Sequence, residues 1–231
     1  MRIALLQADL VDDDLKSIAC DLLQIFQRMF RFFSDVSVDA FNVMVGEYPD
    51  VDNYDACIIS GSRYSVFDDK SWIRDLHSFV KISVLKKIKI VGVCFGHQLI
   101  ANAMGGQVKV AADWNMGVHK LEIKNAMSWM NPHLSNLHLL FNPRCQVVKL
   151  PANAIVHAQT DSFIQMYSIN NNLLGLQAHP EYSVPYQERL MEKVYGDSNH
   201  PLVINAKLRN QTNIEISVNA MCHWVDNFMS P

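Results

Sequence analysis

The sequence lacks the cysteine and charge patterns that mark secreted, metal-binding and nucleic-acid-binding proteins. Its five cysteines are odd in number, scattered, and contain no C-x-x-C pair, so neither a disulfide framework nor a zinc site is indicated. The net charge is −3 over 231 residues, which gives no general attraction for nucleic acid or anionic lipid. We therefore expect a cytoplasmic protein that has neither nucleic acid nor a membrane as a partner.

Several sequence motifs are missing as well. Neither the G-x-x-x-x-G-K-[ST] phosphate loop nor the dinucleotide motif G-x-G-x-x-G occurs, which argues against ATP and NAD. The nine histidines show no H-E-x-x-H spacing, which argues against a metal ion. No apolar run is long enough to cross a bilayer, the first residues do not resemble a signal peptide, and no linker-like segment interrupts the chain. We expect a single domain over residues 1–231, without a cofactor.

What the sequence does contain is an alternation of short apolar runs and longer segments with helical spacing. The predicted strands cover residues 3–6, 36–45, 56–59, 88–93 and 173–178, and the predicted helices cover residues 14–33, 72–85, 95–104, 185–195 and 214–228. Shorter segments at residues 118–123, 146–150, 154–158 and 163–169 are typical of antiparallel strands. This order predicts an α/β fold with a mostly parallel central sheet, flanked by helices, and a small antiparallel section.

The most informative segment is Gly92-Val93-Cys94-Phe95-Gly96, where an apolar strand turns into a helix. A nucleophile flanked by glycines at a strand-to-helix turn stands clear of the backbone. The positive end of the helix favours the thiolate form of a cysteine at that position. An isolated cysteine is more often a buried structural thiol, but the two glycines favour covalent catalysis by Cys94.

A cysteine nucleophile needs a base, and the base needs an orienting partner. His179 and Glu181 are the leading candidates, because Pro180 favours extended geometry in which residues two apart project the same way. Acyl transfer also needs N–H groups aimed at the developing oxyanion. We expect one from Phe95 and a second from the turn at Gly61 and Ser62, although a Ser-Gly-Ser sequence is also an ordinary turn.

These segments together resemble the class I glutamine amidotransferases, a Cys-His-Glu family. The resemblance rests on Ile59–Ser62, on residues 92–98, on Gly105-Gly106 and on residues 177–181. The variant sequence at residues 61–69 resembles the stand-alone branch related to the amidotransferase part of GMP synthase, which includes plant γ-glutamyl peptidases. The resemblance implies a flavodoxin-like fold and hydrolysis of a γ-glutamyl amide through a thioester.

The resemblance also implies roles for individual residues. Cys94 is the nucleophile, His179 the general base and acid, and Glu181 the orienting carboxylate. Gln98 contacts the γ-glutamyl substrate. The substrate is glutamine or another γ-glutamyl small molecule, and a separate synthase subunit could accept the ammonia.

Two departures from the family pattern concern the substrate. Arg63 stands where relatives commonly carry proline, which would place a cation near the mouth of the pocket. The family's His-Gly-Asp motif, which helps to hold the α-amino and carboxylate ends of the substrate, is matched to residues 159–163, so Asp161 and Ser162 are expected to contact substrate. Because that stretch lacks the histidine and glycine, a γ-glutamyl group is better supported than glutamine itself.

Three alternatives remain open from the sequence. One is a γ-glutamyl peptidase that acts on glutathione-like substrates. Another is the related group of elbow-cysteine proteases and glyoxalase-like proteins, which the His179-Pro180-Glu181 triplet disfavours. The third is a catalytically weak regulatory or binding module with the same fold.

Overall fold

The computed structural model describes residues 1–33, 35–111 and 116–230. In these ranges nine strands form a central sheet and two more form a separate antiparallel pair. The central strands are β1 (Arg2–Gln7), β2 (Ser37–Asn42), β3 (Ala56–Ile59), β4 (Lys89–Val93), β5 (Gln107–Val110), β8 (Cys145–Lys149), β9 (Ala154–Gln159), β10 (Ile164–Ile169) and β11 (Leu173–Leu176). The separate pair consists of β6 (Gly117–Glu122) and β7 (Asn136–Phe141).

The strand order of the central sheet is β2-β1-β3-β4-β11-β10-β8-β5, with β9 paired to β10. Strands β2, β1, β3, β4 and β11 are mutually parallel. Strands β3 and β11 are buried throughout, as expected for parallel strands that are covered on both faces. The strands beyond β11 pair in the antiparallel sense. The predicted α/β fold with a small antiparallel section is therefore confirmed.

Helices cover both faces of the sheet and complete two apolar cores. The helices are α1 (Lys16–Ala19), α2 (Leu22–Met29), α3 (Ser71–Leu85), α4 (Phe95–Ala103), α5 (Val184–Tyr195), α6 (Pro201–Arg209) and α7 (Glu215–Met229). One core contains buried residues of α2 and α7, and the other contains buried residues of α3 and α4. Within the described ranges, no helix combines the length and the apolar composition that a membrane crossing requires.

The prediction of one continuous helix over residues 14–33 is wrong. The chain forms a short 3₁₀ turn at Asp13–Leu15 and then α1, and it breaks at Cys20, whose φ is 68°. Asp21 then starts α2: its side chain accepts a hydrogen bond from the Gln24 amide, and the Gln24 side chain accepts one from the Asp21 amide. This reciprocal cap satisfies two N–H groups at the start of α2, so the apolar spacing continues across two helices.

Another predicted boundary differs from the observed one because a local cap ends the strand earlier than its apolar pattern predicts. The strand predicted over residues 36–45 ends at Asn42, whose side chain caps a 3₁₀ turn at Val43–Val45. The sequence prediction also missed β5, β7 and α6. Helix α6 begins with Pro201 in its first turn, and the His200 ring accepts a hydrogen bond from the Leu202 amide.

Candidate active site

Cys94 occupies a strained turn between β4 and α4. Its φ of 50° and ψ of −97° lie outside the usual regions for a residue with a side chain. A Cβ on Gly92 would lie 2.4 Å from Gly96 backbone atoms, and a Cβ on Gly96 would lie 2.4 Å from the Ile59 carbonyl oxygen. Both glycines are therefore required by close backbone approach, as the elbow interpretation expects.

His179 and Glu181 follow the carboxyl end of β11. Nδ1 of His179 lies 2.7 Å from Oε1 of Glu181, and the side chains are only 3% and 1% exposed. The His179 amide donates to the Leu140 carbonyl oxygen at 2.8 Å, which fixes the backbone at this point. The buried carboxylate therefore sets which imidazole nitrogen carries a proton.

Gly61 brings the loop after β3 against both Cys94 and His179. A Cβ built on Gly61 would lie 3.0 Å from Cε1 of His179 and 3.7 Å from Cβ of Cys94. Strands β3, β4 and β11 are neighbours in the sheet, so their carboxyl ends meet at one edge, where ligands bind in open parallel sheets. The structure thus brings together Cys94, His179, Glu181 and Gly61.

The electrostatics of His179 favour a protonated ring. Burial lowers the pKa of His179, but the negative charges of Glu181 and Cys94 raise it more, to about 10. An imidazolium at His179 is thus stable at neutral pH when Cys94 is a thiolate. The arrangement can hold a nucleophile and an acid as an ion pair.

A cavity of about 330 Å³ opens onto Cys94. Gly61, Ser62, Phe95, Gln98 and His179 all line it. The Ser62 hydroxyl donates to the Ala8 carbonyl oxygen at 2.7 Å, so this hydroxyl is already engaged. Phe95 is the first residue of α4, and the first N–H groups of a helix have no acceptor within the helix.

Gln98 is tied to a loop that the sequence reasoning missed. Its Nε2 donates to the Cys145 carbonyl oxygen at 2.7 Å. Asn142, Arg144 and Cys145 line the same cavity. The loop joins β7, which was not predicted from the sequence, to β8, and no motif in the sequence marks residues 142–145.

Asp161 and Ser162 do not reach this cavity. Both are exposed in the turn between β9 and β10, where the Thr160 amide donates to the Phe163 carbonyl oxygen at 2.9 Å. Residues 159–163 therefore build a hairpin turn, for which Asp and Ser are typical residues. The expectation that Asp161 and Ser162 lie at the site is therefore corrected: they are not among the residues that line this cavity, whereas Asn142, Arg144 and Cys145 are.

Arg63 lines the cavity, as expected, but its charge is paired. The guanidinium lies 2.9 Å from Asp9 Oδ1 and 2.8 Å from Asp12 Oδ1. Lys193 on α5 lies 2.8 Å from Asp12 Oδ2 and 2.7 Å from Asp14 Oδ1. The mouth of the pocket thus carries an ion-pair network and not a free cation at Arg63.

Other candidates for the chemistry fit less well. Burial raises the pKa of Cys145, which keeps its thiol protonated. Burial lowers the pKa of His97 to about 3, and its ring packs on Tyr167 with a centroid distance of 4.9 Å. His157 is buried between Asn125 and Ser168.

Among residues 1–33, 35–111 and 116–230, no group of three or more His, Cys, Asp or Glu could hold a metal ion.

The chain is similar to known proteins in both sequence and fold. Residues 24–195 match the family described as glutamine amidotransferase class-I. The chain is 35% identical over 155 residues to γ-glutamyl peptidase 4 of Arabidopsis thaliana, which covers 63% of this chain and 62% of that protein. It is 28% identical over 141 residues to a glutamine-hydrolysing GMP synthase subunit of Saccharolobus solfataricus, covering 60% of this chain and 72% of that one. A glutamine amidotransferase from Thermotoga maritima has the same fold, with a TM-score of 0.80, 14% identity, and coverage of 100% and 99% of the two chains.

Proposed function

The chain belongs to the class I glutamine amidotransferase family, and from this premise we propose that it hydrolyses γ-glutamyl amides through a thioester on Cys94. The observation that carries the proposal is the Cys94 elbow beside a buried His179–Glu181 pair. The matched part of the chain spans less than two thirds of the length of the Arabidopsis peptidase, so substrate and partners are proposals for this chain.

In the first half of the reaction, the Cys94 thiolate attacks the γ-carbonyl carbon of the substrate. The C–S bond forms, and the C–N bond breaks as the protonated His179 gives its proton to the departing nitrogen. Glu181 holds the ring in position and stabilises its positive charge. The Phe95 and Ser62 N–H groups serve as donors to the oxyanion.

In the second half, water hydrolyses the thioester. Once Cys94 carries an acyl group its negative charge is gone, so the contribution of Cys94 to the raised His179 pKa is removed. His179 can then accept a proton from water, and glutamate leaves as the thiolate returns. The same ring thus serves as acid first and as base afterwards.

We place the glutamyl group between Gln98 and the loop of residues 142–145. The Arg144 side chain is exposed at the cavity and, in the described part of the chain, forms no ion pair or hydrogen bond. Oδ1 of Asn142 is buried and has no hydrogen-bond partner among the residues that the structure describes. The α-carboxylate of a glutamyl group could accept hydrogen bonds from the Arg144 guanidinium, and its α-ammonium group could donate to Oδ1 of Asn142.

The released amine or ammonia has two possible fates. It can leave as a product, or it can pass to a separate synthase protein, which the similarity to a GMP synthase subunit suggests.

The described cysteines are all free thiols, which supports the proposal that the protein works in a reducing compartment such as the cytoplasm.

A glutamine-like electrophile, 6-diazo-5-oxo-norleucine, tests the proposal. We expect intact-mass labelling of the wild-type chain, no labelling of Cys94→Ala, and normal labelling of Cys20→Ser, in which an exposed thiol is removed as a matched control. Equal labelling of Cys94→Ala and the wild type would refute the assignment of the nucleophile. A wild-type chain that is neither labelled nor active would instead support the binding-module alternative.

A further inference from the structure

The cavity beside Cys94 is lined in part by apolar side chains that the proposed function does not use. We call this part of the cavity the apolar chamber; its walls include Leu10, Val11, Leu15, Tyr186, Leu190 and Val194. Leucine and valine side chains offer no hydrogen bonds, so they favour an apolar ligand group. Ammonia, the leaving group of glutamine, has no apolar group that could pack against these side chains.

Two tyrosines connect the apolar chamber to His179. The Tyr182 ring stacks on the His179 ring at a centroid distance of 4.1 Å and an angle of 13°. Tyr182 in turn packs edge-on against Tyr186 at 4.8 Å. Because His179 protonates the departing nitrogen, the amine part of the substrate faces the wall that these two tyrosines form.

The glutamyl part faces the opposite flank. Residues 142–145 lead into β8, whose first residue is Cys145, and β8 is separated from β4 by β11 and β10. The loop with Leu10 follows β1, which lies on the other side of β4. Within the described ranges, the Arg144 side chain and Oδ1 of Asn142, both near the start of β8, have no polar partner. The polar end and the apolar end of a substrate are thereby assigned to different sides of Cys94.

The charges around the apolar chamber disfavour a carboxylate on the amine part. Both cations there are engaged, since Arg63 pairs with Asp9 and Asp12, and Lys193 pairs with Asp12 and Asp14. These three carboxylates outnumber the two cations. Among the described residues at this chamber, a further carboxylate would meet only cations that are already paired, and the surrounding charge is net negative.

We propose that the apolar chamber binds the leaving amine, and that the preferred substrates are γ-glutamyl amides of apolar amines that carry no carboxylate. The proposal rests on the function proposed above. The overall reaction adds one water to the amide and yields glutamate and the free amine, so its atoms balance without a further reactant.

Three substrates that differ in one feature each test this inference. They are glutamine, γ-glutamylphenethylamide and γ-glutamylphenylalanine; the last two differ by a single carboxylate. We expect kcat/KM of the phenethylamide to exceed that of glutamine by about tenfold or more, because its ring fills the apolar chamber. We expect it to exceed that of γ-glutamylphenylalanine by a similar factor of about ten, because of like-charge repulsion.

Two variants test separately the apolar packing in the chamber and the repulsion of a carboxylate by its charges. Leu190→Ala should lower kcat/KM for the phenethylamide several-fold more than kcat/KM for glutamine. The control Leu208→Ala, on the exposed face of α6, should change neither. Asp12→Asn removes one carboxylate from the network and should raise γ-glutamylphenylalanine hydrolysis relative to the phenethylamide.

The possible failures point to different conclusions. If glutamine is hydrolysed fastest, the apolar chamber is not the leaving-group site, although γ-glutamyl hydrolysis stands. If γ-glutamylphenylalanine matches or exceeds the phenethylamide, the exclusion of carboxylates is wrong. If none of the three is hydrolysed and the wild type is not labelled by the electrophile, the proposed function itself fails.

Discussion

At the scale of single residues, the charge state of His179 depends on its two negative neighbours. Burial alone would keep the ring neutral, but Glu181 and Cys94 raise the His179 pKa to about 10. In the first half of the reaction the ring must be protonated, so activity is present below this pKa and is lost as the pH rises through it. Glu181 is therefore expected to set the upper pH limit of the enzyme.

The substitution Glu181→Gln should move this upper limit. Removing the carboxylate removes a cause that raises the His179 pKa, so the basic limb of kcat/KM against pH should shift down by about 1 to 3 pH units. Glu181→Asp keeps the charge and should keep most of the limb in place. A basic limb that stays at the same pH in Glu181→Gln would show that His179 does not give the limiting proton.

Arg144 is expected to act on substrate binding and not on bond cleavage. Arg144→Ala should raise KM for γ-glutamyl substrates by about tenfold or more, since a charge-assisted hydrogen bond is lost, while kcat falls little. Arg74→Ala, at an exposed position of α3, is the matched control. An unchanged KM in Arg144→Ala would place the substrate carboxylate elsewhere.

At the scale of elements, the sequence predicted those parts whose signal is local. The elbow could be predicted because the two glycines are a direct consequence of close backbone approach at Gly92 and Gly96. The place of residues 142–145 at the cavity could not be predicted. It depends on where β7 and β8 lie in the fold, and their short apolar runs do not indicate which strands they pair with. Residues 159–163 contained a matching aspartate, but the hairpin between β9 and β10 determines their place.

The break between α1 and α2 gives a prediction at this scale. Asp21→Ala removes one half of the reciprocal cap with Gln24, so the free energy of unfolding should fall by about 1 kcal/mol. Urea unfolding measures the change, with Asp75→Ala on α3 as a control that touches no cap. No loss of stability would mean that packing, and not the cap, fixes the start of α2.

At the scale of the whole molecule, the two apolar cores share the same strands. Leu5 faces one core and Leu6 the other, and Ile58 and Ile59 are divided in the same way. Neither core can be exposed without losing strands that the other requires. That the chain behaves as one domain stays a prediction from the sequence, and the shared strands make it testable by unfolding.

A cooperative unfolding experiment tests that prediction. We expect tryptophan fluorescence and far-ultraviolet circular dichroism to give one coincident transition with urea. The tryptophans offer a probe on each side of the sheet, because Trp72 belongs to one core and Trp224 to the other. Two separate transitions would mean that the cores unfold independently and that the chain contains more than one folding unit.

The central claim is that the γ-glutamyl group passes through a thioester on Cys94. Acid quenching during turnover of a γ-glutamyl amide, followed by intact-mass and peptide analysis, measures it most directly. The account predicts a wild-type chain heavier by one glutamyl group, with the addition on the peptide that contains Cys94, and no addition in Cys94→Ala. Turnover of Cys94→Ala at the wild-type rate, or an acyl group found on another residue, would contradict it.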